Sequence, residues 1–196
     1  MTASRDPSAH AGFEPELRVD WLPLTAHGHE AVLGLTILPG KRGASQRYPG
    51  RVYRRDADAD LEALRRAGVA TLILLVEDGE LRRWSEPDIV ARGRKHGVAV
   101  RRHPMPDGKP PASIAEMRRI LAEIEEGAAL GRVAVACMGG VGRTGTVAAC
   151  ALVAGGMTAS DAIGQVRLVR HPTAVETAAQ EAFVRDFADA IRLPGR

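Results

Sequence analysis

The segment VAVACMGGVGRTG, Val133–Gly145, constrains this chain more than any other. Val133–Cys137 reads as a short apolar strand that runs straight into glycines, and a helical stretch, Arg143–Gly155, follows. A glycine-rich turn between a strand and a helix N-terminus builds an anion nest. Successive backbone N–H groups point inward, and the positive end of the helix dipole adds to them. Gly139, Gly140 and Gly142 can take backbone angles that bulkier residues resist. The backbone of Met138, Gly139, Gly140, Val141 and Gly142 is therefore the expected cradle for a tetrahedral oxyanion.

A thiol at the floor of such a nest is favoured as thiolate, because cysteine pKa values fall from about 8.5 toward about 4–7 at helix N-termini beside cations. Cys137 is the candidate nucleophile. Arg143, six positions later, offers a planar fork for two oxyanion oxygens. Thr144 follows with a hydroxyl placed to donate to the sulfur, which stabilises thiolate when sulfur departs in a second step. Attack on an oxyanion ester also expels an alkoxide or phenoxide that needs a proton. Asp107 in HPMPDGKPP, 30 residues before Cys137, is the candidate acid. It follows the strand Val98–His103, and in a parallel sheet that loop shares the C-terminal edge with the loop after Val133–Cys137. Asp78 in EDG, after the strand Val69–Val76, competes for the role with poorer spacing.

Around this segment the pattern alternates. Val19–Leu24 and Ala31–Leu38 read as strands joined by a turn around His27–Glu30, and Pro39–Arg51 as a loop. A helix is expected over Asp58–Gly68, where Gly68 stands at the position of a C-terminal stop. Another is expected from Pro87 to Gly97. Pro104–Pro111 is a proline-rich loop, and Ser113 with Glu116 gives a capping-box pattern for the helix Ser113–Gly127. Helices Arg143–Gly155, Ala159–Arg170 and Val175–Leu193 close the chain. Strands alternating with helices predict an α/β fold with a mostly parallel central sheet flanked by helices.

At 196 residues the chain suits one domain, expected over residues 17–196 behind a flexible tail of residues 1–16. It has no run of about 20 apolar residues to cross a membrane, and its N-terminus lacks a signal-peptide core, so a soluble cytoplasmic protein without membrane attachment is expected. Two cysteines make no disulfide framework, and Cys150 in AACALVA reads as core rather than as a redox partner of Cys137. The net charge of +3 with 4% aromatic residues disfavours nucleic-acid binding. A basic surface around a site for anionic substrates accounts for it.

CMGGVGRTG resembles the Cys-x5-Arg-Thr signature of the protein tyrosine phosphatase superfamily. In its Cys-x-Gly-Gly-x-Gly-Arg-Thr-Gly form it is similar to the dual-specificity branch, particularly the kinase-associated phosphatase group. RVYRRDADADLEALRRAGVATLILLVEDGEL and PDGKPP resemble that group's helix–strand–Glu-Leu region and acid loop, and the resemblance spans roughly Leu33 to Phe187. It implies the cysteine-dependent phosphatase fold and a phosphocysteine mechanism without metal or cofactor. Cys137 would be the nucleophile, Arg143 the phosphate clamp and Asp107 the acid, then the base. Gln180 in VETAAQEAF would match the glutamine that positions the hydrolytic water; the competing reading is a solvated helix face. The implied substrate is a phosphorylated protein or peptide, carrying phosphotyrosine or also phosphoserine and phosphothreonine, with phosphate, sulfate or vanadate as site ligands. One position departs. Most members carry His before the nucleophile and this chain has Ala136, which implies a raised Cys137 pKa or a shifted pH optimum with activity retained.

Other readings stay in view. A phosphoinositide or small-molecule phosphatase would often carry lysines inside the loop, and Met138–Gly142 includes none. Arsenate reductases need further thiols, and only Cys150 is spare. A non-catalytic phosphate-binding module would need neither the thiol nor the acid. His103 reads as a loop-packing residue, and Arg101, Arg102 and Lys109 as solvated charges rather than phosphate-steering ones.

Overall fold

A computed structural model describes residues 16–26, 29–45 and 47–192. The tail before Glu16, the tip of the first turn and Leu193 lie outside the described residues. In chain order the elements are β1 (Asp20–Ala26), β2 (His29–Ile37), β3 (Arg42–Ala44), β4 (Val52–Arg54), α1 (Ala57–Arg66), β5 (Val69–Leu74), α2 (Asp78–Trp84) and α3 (Ile89–Lys95). Then come β6 (Ala99–Arg102), α4 (Ile114–Ala128), β7 (Arg132–Cys137), α5 (Gly142–Ala154), α6 (Ala159–Val169) and α7 (Ala178–Arg192).

The central sheet has the order β1-β2-β7-β5-β6. Only β1 runs antiparallel to its neighbour; β2, β7, β5 and β6 are parallel. The predicted mostly parallel α/β sheet is what forms. β7 lies in the middle, and every residue from Val133 to Cys137 is buried, as a strand covered on both faces requires. The crossover from β5 to β6 and the return from β6 to β7 run in opposite directions across the sheet. Right-handed connections therefore place the intervening helices on opposite faces. α1 and α3 pack together on one side, and α4 and α5 pack against β5 and β7, with α6 and α7 behind α5. The apolar core is one cluster reaching from Leu17 to Ala188.

Three local expectations need correction. The loop Pro39–Arg51 contains β3, which pairs with β4 in a short antiparallel hairpin. What fixes that hairpin is remote in sequence. Arg55 donates from Nε and Nη2 to Asp60 at 2.8 and 2.6 Å, and the same carboxylate accepts from Gly40 N at 2.8 Å. The seven-residue helix α2 was absent from the sequence pattern because it buries only Leu81. The capping box before α4 is half formed. Ser113 accepts from Glu116 N at 3.1 Å, but the Glu116 carboxylate goes to His103 and Arg119.

Register places the chemistry. Cys137 pairs with Ile37, and its neighbour Ala136 pairs with Leu74, which is paired in turn with Arg102. The segments that follow β5, β6 and β7 therefore leave the sheet at one level of its C-terminal edge.

Candidate active site

The turn after β7 wraps back over the sheet edge and enters α5 at Gly142. Within it the glycines are not equivalent. Gly140 has φ +65°, and a Cβ there would collide with the Thr36 carbonyl and the Arg170 guanidinium. Gly142 lies against the Glu176 carboxylate with the Gln180 amide beside it, so a side chain has no room. Gly139 needs neither freedom, because a Cβ there would enter open space. The expectation that all three glycines serve backbone angles is thus corrected to one.

The loop's carbonyls are held from outside. Arg170 Nε donates to Gly140 O at 2.8 Å and Nη2 to Gly139 O at 3.4 Å, while Nη1 holds Asp20 on β1 at 2.6 Å. With those carbonyls engaged outward, the loop's amide face is left to the cleft. The neighbouring α6–α7 connection carries one strained residue. Val175 is buried at φ +60°, an outlier for a β-branched side chain, and its N donates to Val141 O at 3.3 Å. Beyond that kink, Glu176 lies against the oxyanion loop at Gly142 and Thr177 against the acid loop at Gly108.

Cys137 is buried at the floor. Burial pushes its thiol up, but the Arg143 charge, the Thr144 hydroxyl and the N–H groups of Thr144 and Val141 outweigh burial and leave its pKa below the ordinary thiol value. Thr144 Oγ1 is buried without a hydrogen-bond partner in the resting geometry, and its hydroxyl is among the groups that lower the Cys137 pKa. The thiol is acidified with Ala136 before it. Cys150 is the reverse case: it is buried within α5, its thiol is pushed up by burial alone, and both cysteines are free.

Arg143 is a fully buried side chain with two differently used edges. Glu80, at the third position of α2, accepts from Nη1 at 2.6 Å and from Nη2 at 2.8 Å. Met105 O accepts from Nη1 at 2.9 Å, and Asp107 Oδ1 lies 3.0 Å from Nη2. Nε is buried without a partner. Burial resists the charge on Glu80, and the Arg143 hydrogen bonds more than offset it, so its pKa is lowered; the same contacts raise that of Arg143. Glu80 also accepts from Glu77 N at 2.9 Å, which ties α2 to the guanidinium.

Asp107 therefore meets the oxyanion loop, as expected, from a tip whose carboxylate is 69% exposed. The loop carrying it is stitched at both sides. Met105 N donates to Leu75 O at 3.0 Å, Thr177 Oγ1 donates to Gly108 O at 3.0 Å, and Gln180 Nε2 donates to Lys109 O at 3.3 Å. Asp78 is elsewhere, 3.0 Å from Arg102 and exposed. Gln180 is fully buried beside Gly142, so the solvated-face reading fails. Its Oε1 accepts from Glu176 N at 2.9 Å and from Thr177 N at 3.3 Å. His103 is buried 3.1 Å from Glu116 and 3.2 Å from Glu123, away from the cleft, and Arg101 lies 2.8 Å from Glu126.

The cleft above the loop encloses about 580 Å³. Lys41, Arg47, Tyr48, Arg51 and Tyr53 line one wall. Arg47 pairs with Glu176 and donates to Thr173 Oγ1 at 2.9 Å, while Tyr48 Oη lies 3.3 Å from His171 Nε2. Sequence reasoning missed Glu80, Lys41 and Arg170. Only Glu80 had a signal, inside the Glu-Leu segment of the resemblance. Among the described residues no group of three His, Cys, Asp or Glu side chains could hold a metal ion. Nor is any described helix long and apolar enough to cross a membrane.

Comparison with known proteins bears on this geometry. The sequence model of the family described as Cyclin-dependent kinase inhibitor 3 (CDKN3) matches residues 4–165. Cyclin-dependent kinase inhibitor 3 of Sus scrofa is 30% identical over 197 residues, covering 97% of this chain and 89% of that protein. The crystal structure of kinase associated phosphatase with its catalytic-site cysteine replaced by serine superposes with a TM-score of 0.80. It is 26% identical and covers 92% of this chain and 98% of its own. The active form of Tk-PTP gives a TM-score of 0.64 at 29% identity, covering 80% of this chain and 91% of its own.

Proposed function

This chain belongs to the cyclin-dependent kinase inhibitor 3 family, and from that membership we propose how its residues divide the work of hydrolysing a phosphate ester. It is a cysteine-dependent dual-specificity protein phosphatase of the α/β type. Its substrate is phosphorylated. In our reading that substrate is a phosphoprotein carrying phosphotyrosine, or phosphoserine and phosphothreonine.

The observation that carries the assignment of roles is the split use of Arg143. One edge is fixed by Glu80, which leaves Nε and the Nη2 donor that faces Asp107 toward the nest. Those two donors are the fork a phosphoryl group takes. When it does, Asp107 is released from Nη2 and stands beside the leaving oxygen. Cys137 Sγ then attacks phosphorus, the P–O bond breaks, and Asp107 gives its proton to the departing oxygen. Backbone N–H groups from Met138 to Gly142 and the N-terminus of α5 balance the charge on the equatorial oxygens. In the second step water attacks the phosphocysteine, Asp107 takes a proton from it, and Thr144 donates to the departing thiolate. Gln180 positions that water. Its 3.3 Å bond to Lys109 O is long, and little is lost when the amide turns to a water instead.

No step of this scheme draws on a metal ion or cofactor. Residues 17–196 form one catalytic domain in this reading, supported by the single core cluster. A cytoplasmic setting is supported by the two unpaired thiols. The test is hydrolysis of para-nitrophenyl phosphate with EDTA present, for wild type and Cys137→Ser. Metal-independent turnover that disappears in the variant, with phosphate still bound, is the expected result. Turnover that survives the substitution would remove Cys137 from the mechanism.

A further inference from the structure

The cleft is much larger than a phosphate group, and its positive charge is concentrated on one wall. The β3–β4 hairpin and its flanks contribute Lys41, Arg47, Arg51 and Arg55. Two of these cations are matched: Arg55 with Asp60, and Arg47 with Glu176. Among the described residues, Lys41 and Arg51 have no carboxylate within ion-pair distance. Both lie on the ring of Tyr53 instead, with Lys41 Nζ 4.1 Å and the Arg51 guanidinium carbon 4.7 Å from its centroid.

Lys41 is 7% exposed. An ammonium so far from water is costly unless an anion balances it. Burial brings its pKa down to about 8, against the opposing pull of Cys137; Arg51 and Arg47 add to the lowering and Asp107 opposes it. A solvated surface charge would need no such placement, and this one is held by a braced element. Gly43, at φ +91°, lies flat on Trp84, whose ring carbon sits 2.5 Å from where a Cβ would be. Arg55 N donates to Lys41 O at 3.1 Å, and Ser85 Oγ donates to Pro39 O at 2.6 Å.

We propose that Lys41 and Arg51, stacked on Tyr53, form a second anion subsite beside the oxyanion loop, which receives a second acidic group of a peptide substrate. That group is a phosphoryl or carboxylate side chain close in sequence to the phosphoresidue being hydrolysed. The proposal rests on the phosphatase reading above. A peptide fits the cleft better than an inositol lipid headgroup does. Glu16, Asp107 and Glu176 also line it, and three carboxylates oppose a ligand bearing several phosphates on an anionic membrane. An extended peptide presents its second anion to one wall and neutral atoms to the rest, where Ile37, Tyr48, Trp84 and Met138 offer apolar surface.

The experiment compares kcat/KM for phosphotyrosine peptides that differ only in flanking residues: alanine, glutamate or phosphothreonine. Para-nitrophenyl phosphate is run beside them. Wild type is expected to favour the doubly phosphorylated peptide over the alanine one by about tenfold, with glutamate between them. Raising the salt from about 50 to about 500 mM should erase most of that preference. Arg51→Ala and Lys41→Met should each cut the ratio about fivefold. Should Lys41→Met fail to fold, the salt dependence and Arg51→Ala decide alone. Equal kcat/KM for all three peptides, with para-nitrophenyl phosphate still hydrolysed, would overturn the subsite and leave the phosphatase reading intact. Equal losses on every peptide in the variants would also overturn it, by assigning the cations to the scissile phosphate. So would a preference for phosphoinositide vesicles over every peptide. Absence of any turnover would sink both readings together.

Discussion

The oxyanion loop and the acid loop meet at the Arg143 guanidinium, and they are held to it by different means. Val141, Gly142, Arg143 and Thr144 are buried, the loop's carbonyls are pinned by Arg170, and Glu80 locks one edge of the guanidinium. The acid loop is fastened at Met105, Gly108 and Lys109, but its tip at Asp107 is exposed and reaches Arg143 through one carboxylate oxygen. In the proposed mechanism the difference follows from the two tasks. Groups that stabilise developing charge must not reorganise during the reaction. A proton donor must leave its resting partner and follow the leaving oxygen.

The sharpest way to separate the two regions is to disable each in turn. Cys137→Ser should lower kcat on the order of 10⁴-fold while phosphate or vanadate still binds, because the nest and Arg143 are left in place. Asp107→Asn should lower kcat about 10²- to 10³-fold on a phosphotyrosine peptide with little change in KM. With para-nitrophenyl phosphate, whose leaving group needs less protonation, the loss should be smaller. A rise in KM that matched the fall in kcat would break the comparison, since the acid would then be part of the binding floor.

A subtler disturbance is Arg170→Ala, which touches no substrate but frees the carbonyls of Gly139 and Gly140. We expect kcat/KM to fall about tenfold. The rate of Cys137 alkylation plotted against pH should then move toward that of an ordinary thiol. In the wild type that profile has its midpoint below the usual cysteine value, because the folded pKa is depressed. An unshifted profile in the variant would mean that the loop holds its shape without Arg170.

The smallest expected effect concerns stability in alkali. Lys41 keeps its proton to about 10.5 in the unfolded chain and loses it near 8 in the folded one, where Cys137, Arg51, Arg47 and Asp107 surround it. Between those values the unfolded state binds more protons, so stability should rise with pH, on the order of 1 kcal/mol across the window. The depressed pKa of Cys137 acts in the same direction up to about 9. Denaturant melts at pH 8 and pH 10 for wild type and Lys41→Met check this. The slope should flatten in the variant, and an unchanged slope would place the titrating group elsewhere.

What the sequence disclosed depended on how local the cause was. β5, β7 and α4 announce themselves by the period of their apolar residues, and Cys137, Arg143 and Thr144 by the spacing of one loop. Asp107 was legible because strand order brings its loop to the same edge. The β3–β4 hairpin was not, since each strand has three residues and the forces that fix it come from Asp60 and Trp84. Glu80, Lys41 and Arg170 were missed for a related reason. Nothing near them in the chain distinguishes a charge bound for the site from one bound for water, and only tertiary packing turns them inward. Gln180 was placed only as one of two readings for the same cause: its helix face is amphipathic, and its burial against Gly142, with hydrogen bonds to Glu176 N, Thr177 N and Lys109 O, comes from packing.

Arg170 spans Asp20 near one end of the described chain and Gly140 in the loop, so the nest is closed by one residue made early and one made after the loop. During synthesis the thiol at position 137 is followed closely by Val141, Arg143 and Thr144, which acidify it, and only much later by Arg170. A nascent chain therefore holds the acidifying groups before it holds the clamp on the loop's carbonyls, and the loop is fixed only once Arg170 is in place. A chain ended after Val169 should accordingly alkylate at Cys137 with a midpoint closer to that of a free cysteine than the full chain shows. A midpoint as low as that of the full chain would show that the loop matures without the last 27 residues.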